Sequence, residues 1–308
     1  MKKIFFLGFI FFGSIKVRSQ IIDTQKIYNS LINSVNVLSN DKMNGRLTGS
    51  MYAQNAADFI ASEFKKAGLD TIPNCNDYFQ KFTITSYKNI ITTCNVIGSI
   101  KGQIAPDTII IFSAHYDHIG NGKFAALVED ETDTIYNGAN DNASGVALLI
   151  ELAKHYVNLK ENKYSILFMA FSGEEMGLLG SRIANESINP GNLKAVINFD
   201  MMGRPLSDNQ QKCIVVSRYS TKKTIKELNK SLGKGVDFFI KDQFPNEHLG
   251  DRSDHASFKQ CKNSFTFTCT SPTDKFYHSP FDESKTIDFD FLTATTSKII
   301  ESCKIFLK

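Results

Sequence analysis

Apolar residues recur along this chain with two alternating periods. Within residues 50–67, Ala53, Ala56, Ala57, Phe59, Ile60, Phe64 and Ala67 fall at helical spacing, and Gly68 stops the helix. Residues 95–100 read as a strand, and Gly102 turns it toward the next. Five β-branched or apolar runs then follow, at residues 108–113, 165–171, 195–199, 213–217 and 264–268. Helical patterns lie between or after them, at residues 144–159, 176–183, 221–232 and 289–306. In the first of these, Val146, Leu149, Ile150, Ala153 and Val157 share one face. Strands alternating with helices predict an α/β fold, a mainly parallel central sheet covered by helices on both faces. No linker, repeat or break in composition divides residues 20–308, which therefore read as a single domain.

The N-terminal pattern is different. Lys2 and Lys3 precede the apolar run IFFLGFIFFGSI, which ends at Ile15. A spanning helix needs about 20 apolar residues, and this run is too short. A basic start, a short apolar core and Val17-Arg18-Ser19 fit a cleavable export signal over residues 1–19. No cysteine follows the core, so a lipoprotein anchor is not expected. The expected location is secreted or periplasmic, with no membrane anchor after cleavage.

Charge follows from that reading. The chain of 308 residues carries 35 Lys+Arg and 32 Asp+Glu, a formal net charge of +3. Four of the bases (Lys2, Lys3, Lys16 and Arg18) and none of the acids lie in residues 1–19. The remainder holds 31 bases against 32 acids, a net of −1. That balance gives no reason to expect a nucleic-acid partner. Export permits disulfides. None of the six cysteines forms a C-x-x-C pair. Cys75 and Cys94 flank one extended region and are the favoured bridge, with buried free thiols as the equal alternative.

The residues best able to bind metal sit directly after the strand runs. His115 and Asp117 follow the first, Glu174 and Glu175 the second, and Asp200 the third. His278 lies in the loop after the last run, and Asp141 opens the helix that begins near Ser144. In open α/β sheets, sites form at the carboxyl ends of strands, so these segments can converge there. Two imidazoles with several carboxylates match the mixed N/O ligands that zinc accepts. Crowded carboxylates would repel one another without a cation among them.

Six motifs in order, AHYDH (114–118), NGANDNASGVA (137–147), FSGEEMGLLGS (171–181), NFDMMGR (198–204), SDHASF (253–258) and YHSPFD (277–282), resemble those of the M28 family of zinc aminopeptidases. The resemblance begins at MNGRLTGS (43–50), continues through NVIGSIKG (95–102) and reaches the C-terminal helix. It implies the zinc-peptidase, phosphorylase/hydrolase-like fold, a catalytic domain over residues 20–308 and two zinc ions. Asp141 matches the carboxylate that bridges both ions. His115 and Asp200 match the other ligands of one ion, and Glu175 and His278 those of the second. Asp117 matches the acid that orients the first histidine, and Glu174 the general base. The resemblance also implies a non-proline cis peptide after Asp141, and substrates that are peptides with a free N-terminus. A monomer is expected.

Other residues near the motifs keep more than one reading. The resemblance suggests a structural or supporting role for Asp254 and His255. His118 reads mainly as a loop residue, and His155 and His248 as solvent-facing. Tyr277 could donate to a developing oxyanion or simply pack. Arg204 could attract a substrate carboxylate or form a salt bridge. Met176, Phe244 and Phe276 are candidates for an apolar substrate pocket. Two other functions compete: a glutaminyl cyclase-like acyltransferase with one zinc, and a non-catalytic binding protein on a peptidase scaffold. The cyclase activity relies on tryptophan, which this chain lacks. The complete ligand set and base argue against the scaffold reading.

Overall fold

The apolar runs become the strands of one sheet. In the computed structural model, which describes residues 22–308 apart from 74, 76, 87, 88, 124, 208 and 272, the strands are β1 (Phe79–Ser86), β2 (Asn89–Ile100), β3 (Ala105–His115), β4 (Tyr164–Phe171), β5 (Leu193–Phe199), β6 (Cys213–Val216), β7 (Phe239–Lys241) and β8 (Ser264–Thr268). Their order is β1-β2-β4-β3-β5-β8-β6-β7. The expected export signal lies outside the described residues. No helix among the described residues is long and apolar enough to cross a membrane.

The centre of the sheet is parallel: β3 pairs with β4 and β5, and β5 with β8. Strands buried on both faces need apolar residues at every position, which is why β3, β4 and β5 read as continuous runs. Ile110 and Phe112 enter one core, and Ile111 between them enters the other. Antiparallel partners flank this centre. β1 and β2 form a hairpin, β2 runs against β4, and β6 against β8.

Seven α-helices among the described residues complete the fold: α1 (Thr24–Leu38), α2 (Met51–Ala67), α3 (Gly145–Tyr156), α4 (Leu179–Glu186), α5 (Lys222–Leu232), α6 (Phe289–Ser302) and α7 (Lys304–Leu307). α1, α2, α3 and α6 bury Leu31, Ile60, Leu149 and Ile299 against one face of the sheet. Ala184 of α4, with Phe258 and Cys261, covers Ile97, Ile111 and Val196 on the other. The caps have local causes. Ser50 accepts from the Ala53 amide at 3.1 Å to start α2. Gly68, at φ 87, ends α2 by returning its amide to Lys65 and Phe64.

The structure departs from the sequence pattern in several places. α1, β1 and β7 are additions. The helix expected from residue 176 starts only at Leu179, because Leu178 enters it in the left-handed conformation (φ 62). The last helix is divided at Cys303. Cys75 and Cys94 are both free: Cys94 faces Gln54 and the Tyr116 hydroxyl, whereas Cys75 packs beside the smaller core.

Phe112 sits where the larger core is thickest, stacked on Phe168 at 5.8 Å and Phe199 at 6.2 Å. Phe112→Ala should cost about 3–5 kcal/mol. Urea denaturation at fixed metal concentration measures this, and an unchanged midpoint would contradict the packing described.

Candidate metal centre

Parallel strands deliver their carboxyl ends to one edge of the sheet, and the polar residues that follow them meet there. His115 ends β3, Glu174 and Glu175 follow β4 across Ser172-Gly173, and Asp200 directly follows β5. Asp141 comes from the irregular turn Ala139–Ser144 before α3, where the Asp141–Asn142 peptide is cis, as the resemblance implies. His278 comes from the loop beyond β8.

Asp141 faces two histidines at once. Its Oδ1 lies 3.3 Å from His115 Nε2, and its Oδ2 lies 3.4 Å from His278 Nε2. Asp200 Oδ1 stands 3.6 Å from His115 Nε2, and Glu175 Oε2 stands 3.1 Å from His278 Nε2. Two donor sets result, sharing Asp141: His115, Asp141 and Asp200, and Asp141, Glu175 and His278, the second joined by His118. Ligands 2.0–2.1 Å from a tetrahedral ion stand about 3.3 Å from one another, which is the spacing found. His278 Nε2 is buried and makes no hydrogen bond among the described residues, despite two carboxylate oxygens close by. Its Nδ1 donates to the Ala125 carbonyl at 2.9 Å, so Nε2 carries the lone pair and turns it between the acids. These residues therefore fit a metal.

His115 is oriented in the same way. Its Nδ1 donates to the main-chain carbonyl of Asp117 at 3.2 Å, while the Asp117 carboxylate is 3.9 Å away. That carboxylate instead accepts from Thr48 Oγ1 at 2.8 Å and from the Glu174 amide at 3.2 Å. Asp117 thus ties the histidine strand to the loop that carries Glu174.

Charge is concentrated here. Burial favours a neutral Glu174, and Glu175, Asp254 and Asp200 push the same way against His115, so its pKa stands well above the usual range. Burial also opposes ionisation of Asp141 and Glu175. The nearby imidazoles of His115 and His278 nonetheless hold Asp141 well below its usual value, and those of His118 and His278 bring Glu175 to about 2. Without a cation the same acids would outweigh burial and hold a second proton on His278 Nε2, raising it to about 11; metal binding displaces that proton. Asp254 is enclosed, with Ser181 near its carboxylate but no well-formed hydrogen bond among the described residues, and burial lifts it to about 7. This excess of buried acid is what a divalent cation offsets.

A surrounding layer holds the donors. Asp282 accepts from the amides of Asn140 and Asp141 at 3.0 Å and pairs with Arg204 Nη1 at 2.9 Å. Arg204 also pairs with Asp274, which settles it as a structural salt bridge. Ser253 Oγ donates to Asp200 Oδ2 at 2.6 Å and accepts from Asn198 at 2.8 Å. His255 hydrogen-bonds Thr266 and lies outside both donor sets.

Arg46 is wholly buried. It donates to the carbonyls of Leu38, Tyr116, Asn137 and Gly138, clamping the loop after β3 to the turn that bears Asp141. Burial lowers its pKa to about 10, with the acids of the site opposing.

The structure revises other expectations. His118, read as a loop residue, is buried inside the centre. His155 is half-buried, with Nε2 enclosed. The cleft over the site is walled by Met201, Val216, Leu249 and Thr268, with Arg252 and Tyr277 beside them. Met176, Phe244 and Phe276 are not among its walls. Arg46 and Asp282 had a signal in the MNGRLTGS and YHSPFD motifs, but their partners are distant in sequence.

Residues 95–302 match Peptidase family M28. A probable zinc metalloprotease of Pyrenophora teres f. teres (strain 0-1) is 29% identical over 162 residues, covering 51% of this chain and 32% of that one. The chain spans about a third of the length of the first curated relatives it matches. Among solved structures, BSAP, a zinc aminopeptidase from Bacillus subtilis, superposes with a TM-score of 0.72 at 16% identity, covering 91% of this chain and 95% of that one. Porphyromonas gingivalis glutaminyl cyclase superposes with a TM-score of 0.68 at 17% identity, covering 90% and 98%. These likenesses show the fold.

Arg46→Met keeps an apolar stem but leaves four buried carbonyls without their donor. The substitution should lower stability by at least about 3 kcal/mol. Urea titration tests this, and a wild-type midpoint would show that the clamp carries no weight.

Proposed function

The chain belongs to peptidase family M28, a family of zinc metallopeptidases, and from that premise we propose that it is a two-zinc aminopeptidase removing the N-terminal residue of peptides. The observation that carries this reading is the shared carboxylate of Asp141, flanked by two donor sets, with Glu174 beside them outside both. His115 and Asp200 would hold one ion, Glu175 and His278 the other, and Asp141 both. Bound zinc supplies Lewis acidity, polarising a carbonyl and lowering the pKa of a water molecule.

The chain's own residues do the rest. Glu174 lines the cleft, and its amide is fixed by Asp117. A carboxylate there takes a proton from the attacking water and passes it to the leaving amine. Tyr277 lies on the same cleft, where its hydroxyl can donate to a developing oxyanion. Burial, then Asp141, Glu175 and Glu174, push its pKa up, so it remains a donor. The acidic surroundings suit a substrate's free α-ammonium group. Residues 1–19 act as an export signal and residues 20–308 as the catalytic domain of a secreted or periplasmic monomer. The two complete donor sets favour two ions over the single ion of a cyclase-like enzyme, and the intact base favours catalysis over a binding scaffold.

An aminoacyl-nitroanilide should be hydrolysed, and a chelator should stop the reaction. The same substrate blocked at its amine should be inert, and its cleavage would point to an endopeptidase. Cyclisation of an N-terminal glutaminyl peptide would support the cyclase reading instead. Glu174→Gln should retain zinc and lose about 10²–10⁴-fold in turnover; near-normal activity with full metal would remove Glu174 as the base. Asp141→Ala should lose both ions by elemental analysis, and retained zinc would count against a bridging role.

A further inference from the structure

His118 is the one imidazole inside the centre to which the reading above gives no task. Its Nδ1 lies 2.8 Å from Glu175 Oε1 and 3.9 Å from Asp141 Oδ2, so by position alone it could be a fourth ligand beside Asp141, Glu175 and His278. The opposite nitrogen decides against this. His118 Nε2 is buried and has no hydrogen-bond partner among the described residues. Gly138 lies against the Cγ–Cδ2 edge of the ring: a Cβ on Gly138, which has φ +54, would stand 2.6 Å from both atoms.

An imidazole that binds metal through Nδ1 carries its proton on Nε2. Here that proton would be a buried N–H with no acceptor among the described residues, and a buried donor left unmade is costly. A proton on Nδ1 avoids this, since it meets the Glu175 carboxylate in a charge-assisted hydrogen bond. His115 and His278 contrast with it. Each donates through Nδ1 to a main-chain carbonyl and presents Nε2 to the acids.

We propose that His118 is a positioning residue and not a ligand: its Nδ1–H holds Glu175 Oε1, which turns Oε2 toward His278 and leaves that ion only three protein ligands. Three protein ligands with an open position mark a catalytic zinc site, whereas four would close it. The open position is where a substrate group can bind. This inference rests on the two-zinc reading and on Glu175 as a ligand.

The test is spectroscopic, with two variants. In protein labelled with ¹⁵N-histidine, long-range ¹H–¹⁵N correlation reads the tautomer of each ring, and loss of a signal set in His118→Asn identifies His118. The expected result, with zinc and without, is a proton on Nδ1 and an Nε2 that is neither protonated nor metal-bound. A proton on Nε2 with Nδ1 shifted by zinc would make His118 a ligand and overturn the proposal. Chelator competition provides a second readout. Asn places an amide donor near the position of Nδ1, so His118→Asn should bind the second zinc within about threefold of wild type. His118→Ala should bind it about 10–100-fold more weakly. Equal affinity of the Ala variant and wild type, or loss in Asn equal to that in Ala, would overturn it. If wild-type protein bound only one zinc, the two-ion reading would fail, and the tautomer in the zinc-free spectrum would still decide the hydrogen bond.

Discussion

The carboxylate of Asp141 is the constraint around which the centre is organised. It is buried, and each of its oxygens faces a different histidine. Such a group tolerates little displacement, because both donor sets depend on it. Its surroundings hold it from several directions. Asp282 binds the amides on its N-terminal side, Asn142 is tied to the Phe199 carbonyl, and Arg46 grips the carbonyls of Asn137 and Gly138. Removing the charge of Asp282 would also leave Arg204 with a single acidic partner. The turn is therefore fastened to β5, to the loop after β3 and to the loop that carries His278.

The same economy appears at the other donors. Each imidazole that faces the acids through Nε2 is fixed at Nδ1 by a main-chain carbonyl. Asp200 is held by Ser253, which is held by Asn198, which accepts from Ser113 on β3. Asp117 links Thr48, the His115 strand and the Glu174 loop. Asp141, Asp200, Glu175 and His278 each have a supporting partner from a distant segment, and His115 has one in the loop that follows it. The geometry thus belongs to the sheet edge as a whole and not to any one loop.

Charge explains why a mildly basic chain can have an acidic heart. The surplus of positive charge lies in residues 1–19, and the remainder is nearly neutral. Within that remainder several buried acids meet at one edge, and buried Arg46 behind them spends its donors on carbonyls, whereas Arg204 pairs with Asp282 and Asp274. The local imbalance is large although the overall one is small.

Much of this was legible in the sequence, because its causes are local. Continuous apolar runs marked β3, β4 and β5, since strands covered on both faces admit little else. The acids and histidines directly after those runs marked the edge, and the motif order marked the family. α1 was also legible in principle, with Ile27, Leu31, Val35 and Leu38 on one face. What the sequence could not settle was set by contacts between distant segments. Arg46 meets carbonyls 70 and more residues away, Asp282 meets amides 141 residues before it, and Cys75 and Cys94 pack in separate cores. The sequence by itself determined which residue types arrive at the sheet edge, because strand register and alternation are local. Only the tertiary structure decided which atom of each faces the centre, because that depends on hydrogen-bond partners that the chain brings together from far apart. His118 shows the difference: its motif brings it to the site, and only the fold sets the Glu175 carboxylate beside its Nδ1 and Gly138 against its Cγ–Cδ2 edge.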